Sequence, residues 1–559
     1  MSKYHRRYPV REIDPKQTAY GLVKSINENN RSAYYSSYYG KKKTYAELID
    51  EADLLAERLV ADGVKADDVI GVCMMTVPEI MPVMLGINKI GAVSCWMDAT
   101  AKSEDIKHYI CDLKMRVLVV YEPLVPVFIG AVSGFDVVRI IVVKAAPQLG
   151  VPNLCENVGS PLIKEFADYI NEASKCNLAE PAPYAEGRTR FIVHSSGSTG
   201  KSKAIAHSDY NFNSEVCKMA YADLPFYEGK RALVCAPPWV IYGLVNSVYS
   251  TVVFGGEVVF TTIPQEDMIY AHLGSFDYIY GVPVYYRYLY NKMKELRSSD
   301  SDEFLQTCKT MRSLSALISG GDKIPEEELI EWQLMFDCVI CNGYGNNEMT
   351  GAAVVSPMLA NRPGSIGIAM KGISAKTCDV NTGHLLSDGE QGELCLSSDS
   401  MFLGYIGNEE ETQRIKRNHD GRLWIHTGDL AVIDSDGFIY LKGRTRRLII
   451  DKLGYKISPE NSERLIQELE YVNECIVVGA KLAENDTVPF AFVELLDTAD
   501  KTAIDEISEL CLKNLKEYER PKFFRVLEKI PHKSNGGKVD FLALEDLANE
   551  LIKSEEFIN

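Results

Sequence analysis

The residues Ser195-Ser-Gly-Ser-Thr-Gly-Lys-Ser-Lys203 follow the apolar run Phe191-Ile-Val193. Small hydroxyl side chains and glycines let backbone and side-chain donors crowd around phosphate oxygens, and Lys201 and Lys203 supply positive charge. Gly200-Lys201-Ser202 matches the end of the phosphate-cradling loop G-x-x-x-x-G-K-[ST], but Ser195 stands where its first glycine should be. Ala204-Ile-Ala206 then reads as a returning strand, whereas that loop must open a helix whose N-terminus holds the phosphate. The segment therefore predicts an anion-binding turn between two strands rather than a P-loop nucleotidase. Taken alone, a flexible Gly/Ser turn accounts for the same residues.

Further residues with chemical potential are Gly343-Tyr-Gly-Asn-Asn-Glu-Met349, Gly392-Glu-Leu394 with Gly404-Tyr405, His426-Thr-Gly-Asp429, Lys442-Gly-Arg444 and Gly536-Gly-Lys538. Each has a plain reading in isolation: Glu348 as a helix-start carboxylate, Asp429 as a turn residue, Arg444 as a surface cation and Lys538 as a solvated loop lysine. In this order, behind the Ser/Gly loop, they resemble the adenylate-forming (AMP-binding) superfamily, with a pattern most similar to acyl-CoA synthetases. That superfamily also holds the adenylation domains of peptide synthetases and the luciferases. The resemblance runs over essentially the whole chain.

The resemblance implies an acid–thiol ligase that uses ATP, Mg²⁺ and CoA. A carboxylate attacks the α-phosphate of ATP to give acyl-AMP and pyrophosphate, and a thiol then displaces AMP. One anion must approach another, and two unit charges about 4 Å apart repel by about 4 kcal/mol at an effective dielectric near 20. By family analogy Ser195, Ser196, Gly197, Ser198, Thr199, Gly200, Lys201 and Lys203 hold the β- and γ-phosphates. Glu348 binds Mg²⁺, and Lys538 bridges the attacking carboxylate and the phosphate. Tyr344 stacks on adenine, Gly320, Gly321 and Asp322 lie along its edge, and Asn342 joins the ATP-binding set. Asp429 accepts both ribose hydroxyls, and Arg444 contacts ribose or phosphate.

Two positions depart from the family pattern. Asn347 stands where a threonine usually precedes the magnesium-binding glutamate, and can still donate and accept with a longer reach. At the interdomain hinge the family usually carries Asp or Lys, and this chain has Arg446 and Arg447; Arg446 keeps the basic role, while Arg447 has no counterpart.

The resemblance places the acyl pocket along Pro237-Pro-Trp-Val-Ile-Tyr-Gly243, with Trp239, Val240, Tyr242 and Gly243 as lining. Amino-acid-activating relatives commonly place Asp near the position of Val240, and an unpaired buried ammonium is costly, so a carboxylic acid with an uncharged acyl body is expected. Asp209 or Asp223 are the acidic residues that could instead reach the pocket. Gly345 lies where acetate-specific relatives carry Trp, which leaves room for a longer acid; a tight turn after Tyr344 explains the same glycine. No carrier-protein domain or serine attachment motif is recognisable, so the thiol is expected from solution. CoA is the expected acceptor, with Gly454 and Lys456 near its pantetheine and phosphate, and a carrier protein in trans is the alternative. A nucleotide-binding pseudoenzyme is the reading from a different class.

Elements that could position these residues are legible. Thr44 and Glu47 form a capping box, Leu48, Ala52, Leu55 and Leu59 recur at helical spacing, and Gly63 supplies the stop. Apolar runs at Val69 to Met74, Val117 to Tyr121 and Val137 to Val143 alternate with helical patterns, the signature of parallel strands. Between about residues 362 and 443, Gly, Asp, Ser and Asn punctuate short strands. Beyond Arg444, Ser458 as N-cap, Pro459 at the first helical position and two strands restart a compact pattern. The expected fold is α/β: a large N-terminal AMP-binding domain, residues 1–445, of mixed sheets flanked by helices with a β subdomain, and a small mobile C-terminal α+β lid, residues 446–559, with the active site between them.

The composition agrees with such an enzyme. The 559 residues are 46% hydrophobic and 25% charged, an ordinary folded balance. Acidic residues number 78 against 60 basic, and the net charge of −18 argues against nucleic acid as a partner. The 14 cysteines follow no framework, which predicts reduced thiols and a cytoplasmic location. Cys338-x-x-Cys341 is a single pair on an apolar run and predicts no metal or redox centre. The basic start is followed by Glu12 and Asp14 rather than an apolar core, so no signal peptide is expected, and no apolar run reaches the roughly 18 residues of a membrane span.

Overall fold

The computed structural model describes all residues except 1–11, 150–161, 174–178, 196–201, 223, 225, 227, 262–266, 300, 301, 359, 381, 451–455, 484, 485, 497, 498, 500, 501, 533–538 and 555–559. The chain is α/β and divides into two units, one of residues 1–375 with 396–425, the other of residues 376–395 with 426–559.

The first unit is built on two sheets. Its eight-stranded sheet runs in the order Gly404–Tyr405, Lys203–His207, Phe191–Ser195, Val93–Trp96, Val69–Cys73, Val117–Tyr121, Arg139–Val143, Ile163–Glu165. The strands from Phe191–Ser195 to Ile163–Glu165 pair in parallel. Being covered on both faces, they are continuous apolar runs: Leu118 and Val120 point to the layer of Ile106, Ile110 and Phe128, all buried. Lys203–His207 turns back antiparallel on Phe191–Ser195, with Ser195 opposite Lys203. The Ser/Gly segment thus joins two paired strands, as the sequence predicts, and no helix follows it directly.

The other sheet of this unit pairs Arg231–Val234, Tyr278–Gly281, Ala316–Ser319 and Ile340–Asn346 in parallel, the last continuing antiparallel into Gly351–Val355. Tyr34–Tyr38 and Lys41–Thr44 form a hairpin in which Tyr39 and Gly40 take φ of 47° and 77°, the left-handed pair of a type I′ turn. The capping box follows at once: Thr44 Oγ1 accepts from Glu47 N at 3.3 Å, and Glu47 Oε2 accepts from Thr44 N at 2.7 Å. Its helix Tyr45–Ala61 buries Leu48, Ala52, Leu55 and Leu59. Among the described residues no helix is long and apolar enough to cross a membrane.

The second unit contains a three-stranded sheet of Val472–Ala483, Asp486–Leu495 and Phe523–Leu527. Alternation decides its two faces. Cys475 and Val477 pack with Ile466, Ile507 and Cys511 of the helices Pro459–Gln467 and Ala503–Asn514. Ile476 and Val478 pack with Leu544, Ala548 and Leu551 of Phe541–Ser554. Ser458 precedes its helix as expected but does not cap it; its hydroxyl lies 2.9 Å from the Lys442 carbonyl oxygen and 2.5 Å from Glu460 Oε2, with one proton shared between these acceptors. Arg447, without a counterpart in the family pattern, has a packing reason. It pairs with Glu460 at 3.1 Å and with Glu463, donates to the Val477 carbonyl at 3.3 Å, and lies 4.3 Å from the Phe541 ring centre. The helices Pro459–Gln467 and Phe541–Ser554 and the sheet meet on one guanidinium, whose planar fork suits several acceptors at once.

Two buried imidazoles in the first unit make its stability pH-dependent. Burial pushes His194 down to about 4 and His207 down to about 3. His207 Nδ1 lies 3.1 Å from Thr350 Oγ1, inside the fold. Both are neutral when folded and take up protons near pH 6.5 when unfolded. Their contribution is therefore complete above about pH 6.5 and is lost between there and the folded values, at up to about 1.4 kcal/mol per pH unit for each ring. Urea midpoints measured from pH 7 to pH 5 should fall, and His207→Asn, which keeps a polar group toward Thr350, should flatten that fall.

Candidate active site

Tyr344, Asn347 and Glu348 share one hairpin. Ile340–Asn346 pairs antiparallel with Gly351–Val355 through the tight turn Asn347–Met349, with Tyr344 opposite Val354 and Gly345 opposite Ala352. Asn346 accepts from Met349 N at 2.8 Å, and Thr350 takes a φ of 59° to close the turn. A Cβ on Gly345 would fall 1.8 Å from the Gly351 carbonyl oxygen and 2.6 Å from its carbon. The hairpin itself therefore requires this glycine, and its reading as spare pocket volume rests on resemblance alone. Gly345→Ala should cost about 1–3 kcal/mol or more in the urea unfolding of the first unit. A well-folded Gly345→Trp enzyme with a shortened acid preference would contradict this.

Glu348 is held on two sides. Its Oε1 accepts from the Tyr405 hydroxyl at 2.7 Å, and its carbonyl accepts from Phe402 N at 2.8 Å. Tyr405 comes from Gly404–Tyr405, which pairs antiparallel with Ile205 and Ala206 at the sheet edge. Burial and the facing carboxylate raise the Tyr405 hydroxyl far above its ordinary value, so it stays a donor. Lys203 ion-pairs with Glu411 and sits 5.1 Å over the Tyr405 ring. Arg414, then Lys203, hold Glu411 down to about 2. Lys203, Tyr405 and Glu348 thereby form one connected group at the end of the strand that leaves the Ser/Gly segment.

The acyl segment is tied to the same turn. Asn347 Oδ1 accepts from Ile241 N at 3.2 Å. A Cβ on Gly243 would lie 2.0 Å from the Pro237 carbonyl oxygen, so the segment folds back tightly into the wide-turn π-helix Tyr242–Tyr249. Such helices recur at functional sites. Tyr242 donates to the Gly281 carbonyl at 2.9 Å, and its ring lies 3.2 Å from where a Gly320 Cβ would stand. Trp239 and Val240 are half-buried, as are Asn342 and Tyr344. Gly321 takes a φ of 85°, and Asp322 is exposed. Behind them the buried Glu215 accepts from Asn246 Nδ2 at 2.7 Å and Ala352 N at 2.9 Å, clamping helix to hairpin. Asp209 does not serve the pocket. It is fully buried and accepts from Ala19 N and Asn88 Nδ2 at 2.9 and 2.8 Å.

In the second unit Asp429 stands opposite Arg444 across the strands Arg422–Ile433 and Phe438–Arg444. Its Oδ1 lies 2.7 Å from Arg444 Nε, and the residue is 6% exposed while the arginine side chain is 53% exposed. Arg446 lies in the turn Thr445–Arg447 and Lys456 in the short strand Lys456–Ile457. Asp223, Ser196 to Lys201, Gly454 and Lys538 fall outside the described residues. Sequence reasoning did not single out Tyr405 or Glu411 as site residues. Tyr405 follows Gly404 in a motif that was legible, whereas nothing local links Glu411 to a lysine far upstream.

The described geometry gives two antiparallel strands on either side of the Ser/Gly segment and an oriented carboxylate, with an aromatic residue on the carboxylate's own hairpin. Comparisons with known proteins agree with it. The model of the AMP-binding enzyme family matches residues 25–406, and that of the AMP-binding enzyme C-terminal domain matches residues 462–537. The long-chain-fatty-acid–CoA ligase of Bacillus subtilis is 24% identical over 526 residues, covering 90% of each chain. Among solved structures, the anthranilate CoA ligase AuaEII in complex with anthranoyl-AMP superposes with a TM-score of 0.79 at 20% identity, over 97% of this chain and 99% of that one. The amide bond synthetase McbA from Marinactinospora thermotolerans gives 0.77 at 19% identity, over 95% and 99%. With matching models over most of its length, the chain belongs to the AMP-binding, adenylate-forming enzyme family.

Proposed function

We propose that this enzyme activates a carboxylic acid with an uncharged acyl body, using ATP, and transfers the acyl group to CoA. The observation that carries the reading is the connected group Lys203, Tyr405 and Glu348, which orients a carboxylate beside the strand leaving the Ser/Gly segment. A half-buried carboxylate with one oxygen fixed by a phenol suits Mg²⁺, which takes one or two protein carboxylates and keeps its waters. Bound there with ATP, the ion would neutralise phosphate charge. Tyr344, with Asn342, Gly320, Gly321 and Asp322, would receive adenine, and Asp429 with Arg444 the ribose. In the first step a substrate carboxylate oxygen attacks the α-phosphorus and the bond to the β-phosphate breaks, giving acyl-AMP and pyrophosphate. Lys538 would neutralise both anions as they meet. In the second step the thiol sulfur attacks the acyl carbon and AMP leaves with its oxygen. Arg446 would be the hinge on which residues 446–559 turn as a mobile lid between the steps, with Gly454 and Lys456 near CoA.

Trp239, Val240, Tyr242 and Gly243 offer the acid no charge, which supports an apolar or aromatic body. The experiment is pyrophosphate release from Mg-ATP across short, medium, long, aromatic and amino acids, each with and without CoA. Turnover of apolar or aromatic acids only with CoA supports the reading. Pyrophosphate exchange with amino acids, unchanged by CoA, would replace it with loading of a carrier protein. No release with any acid would leave a nucleotide-binding pseudoenzyme.

A further inference from the structure

Outside the residues assigned to nucleotide and acid, four potential ligands converge within the second unit. Cys378 ends the strand Ser374–Cys378, Glu393 and Cys395 lie two apart on Gly392–Ser397, and His426 lies on Arg422–Ile433. Residues two apart on a strand point to the same face, which is why Glu393 and Cys395 meet here. The Cys378 and Cys395 sulfurs are 2.9 Å apart and lie 3.6 and 3.7 Å from His426 Nδ1. Glu393 Oε2 is 2.9 Å from that nitrogen and 4.0 Å from Cys378 Sγ. Cys378 and Cys395 have no exposed surface, and His426 is 5% exposed.

We propose that Cys378, Glu393, Cys395 and His426 form a tetrahedral Zn²⁺ site. Zinc–sulfur bonds of about 2.3 Å and zinc–nitrogen bonds of about 2.0 Å place tetrahedral ligand atoms roughly 3.3–3.8 Å apart. The sulfur–nitrogen separations already fall there, while the sulfurs would open by about 0.9 Å and the carboxylate oxygen and imidazole nitrogen, 2.9 Å apart, by about 0.4 Å. Two thiolates exclude Mg²⁺ and Ca²⁺, while a carboxylate and an imidazole beside them favour zinc over the softer Cu(I). Four protein ligands in a buried setting make the site structural rather than hydrolytic. Both thiols release their protons on binding, so uptake is favoured by rising pH.

The site has a mechanical consequence. Glu393 Oε1 accepts from Gly428 N at 2.9 Å, and Thr427 Oγ1 donates to the Leu394 carbonyl at 2.8 Å. The metal would thus pin the strand segment leading into Asp429 to its neighbour. A disulfide between the two cysteines is the competing outcome; its S–S bond of about 2.05 Å would draw the sulfurs together and leave His426 paired with Glu393.

The test uses the full chain purified under reductant, stripped with chelator and titrated with Zn²⁺ against a chromogenic competitor. Uptake of about one ion per chain is expected, together with zinc protection of Cys378 and Cys395 from alkylation, mapped by mass spectrometry. Co²⁺ should give thiolate charge-transfer and tetrahedral d–d bands. The Cys378→Ser/Cys395→Ser double variant should lose at least about 100-fold in affinity and the cobalt bands, while Cys338→Ser keeps both. Protection mapping on the unaltered chain covers the case in which the double variant misfolds. Sub-stoichiometric uptake, equal binding by the folded double variant, protection of other cysteines, or a Cys378–Cys395 disulfide with no uptake after reduction would each overturn the proposal.

Discussion

Lys538→Ala should lower the rate of acyl-adenylate formation by about 10²–10³-fold, the cost of deleting one preorganised donor aimed at developing charge. In the proposed role the cation acts only where the two anions meet, so the same variant should still convert supplied acyl-AMP and CoA to thioester at close to the normal rate. Measuring the half-reactions separately checks this. Equal loss in both would mean that Lys538 acts on the fold of residues 446–559 rather than on the phosphate. ATP affinity should change little, since the Ser/Gly segment and Tyr344 are untouched.

Glu348→Gln is the other large effect. The amide keeps the shape and can still meet the Tyr405 hydroxyl, but it loses the charge that would hold Mg²⁺. The Mg²⁺ concentration for half-maximal pyrophosphate release should rise by at least the roughly 10–100-fold that loss of a more remote supporting partner costs a metal site. Tyr405→Phe, which removes the 2.7 Å hydrogen bond and leaves the carboxylate, should shift it less. If both variants moved the magnesium requirement equally, the carboxylate would be acting through its orientation of the turn and not as the ligand.

Local periodicity made the architecture readable. The capping box at Thr44 and Glu47, the continuous apolar run Val117 to Tyr121 and the returning strand after the Ser/Gly segment each follow from side chains within a few residues of one another. Partnerships between distant segments were not readable. Glu411 on Lys203, Asn347 on the start of the π-helix, and Glu460 and Glu463 on Arg447 depend on which turns the fold brings together. Gly345 shows the limit most plainly. Its sequence context suits an open pocket and a crowded hairpin alike, and only the approach of the Gly351 backbone separates them. Cys378 and Cys395 likewise have no short motif to announce them, being brought together from separate strands.

That hairpin also behaves as a ruler. Tyr344 and Glu348 are carried by one hairpin, and a slip of its register would bring a residue with a Cβ, Tyr344 or Asn346, to the place where only Gly345 clears the Gly351 backbone. Under the proposed roles, the distance from a stacked base to the phosphate-bound cation is set by the protein before any nucleotide arrives. Discrimination among nucleotides should then depend on molecular length as much as on base identity, and analogues with an extra atom between ribose and phosphate should be rejected even when their base is adenine.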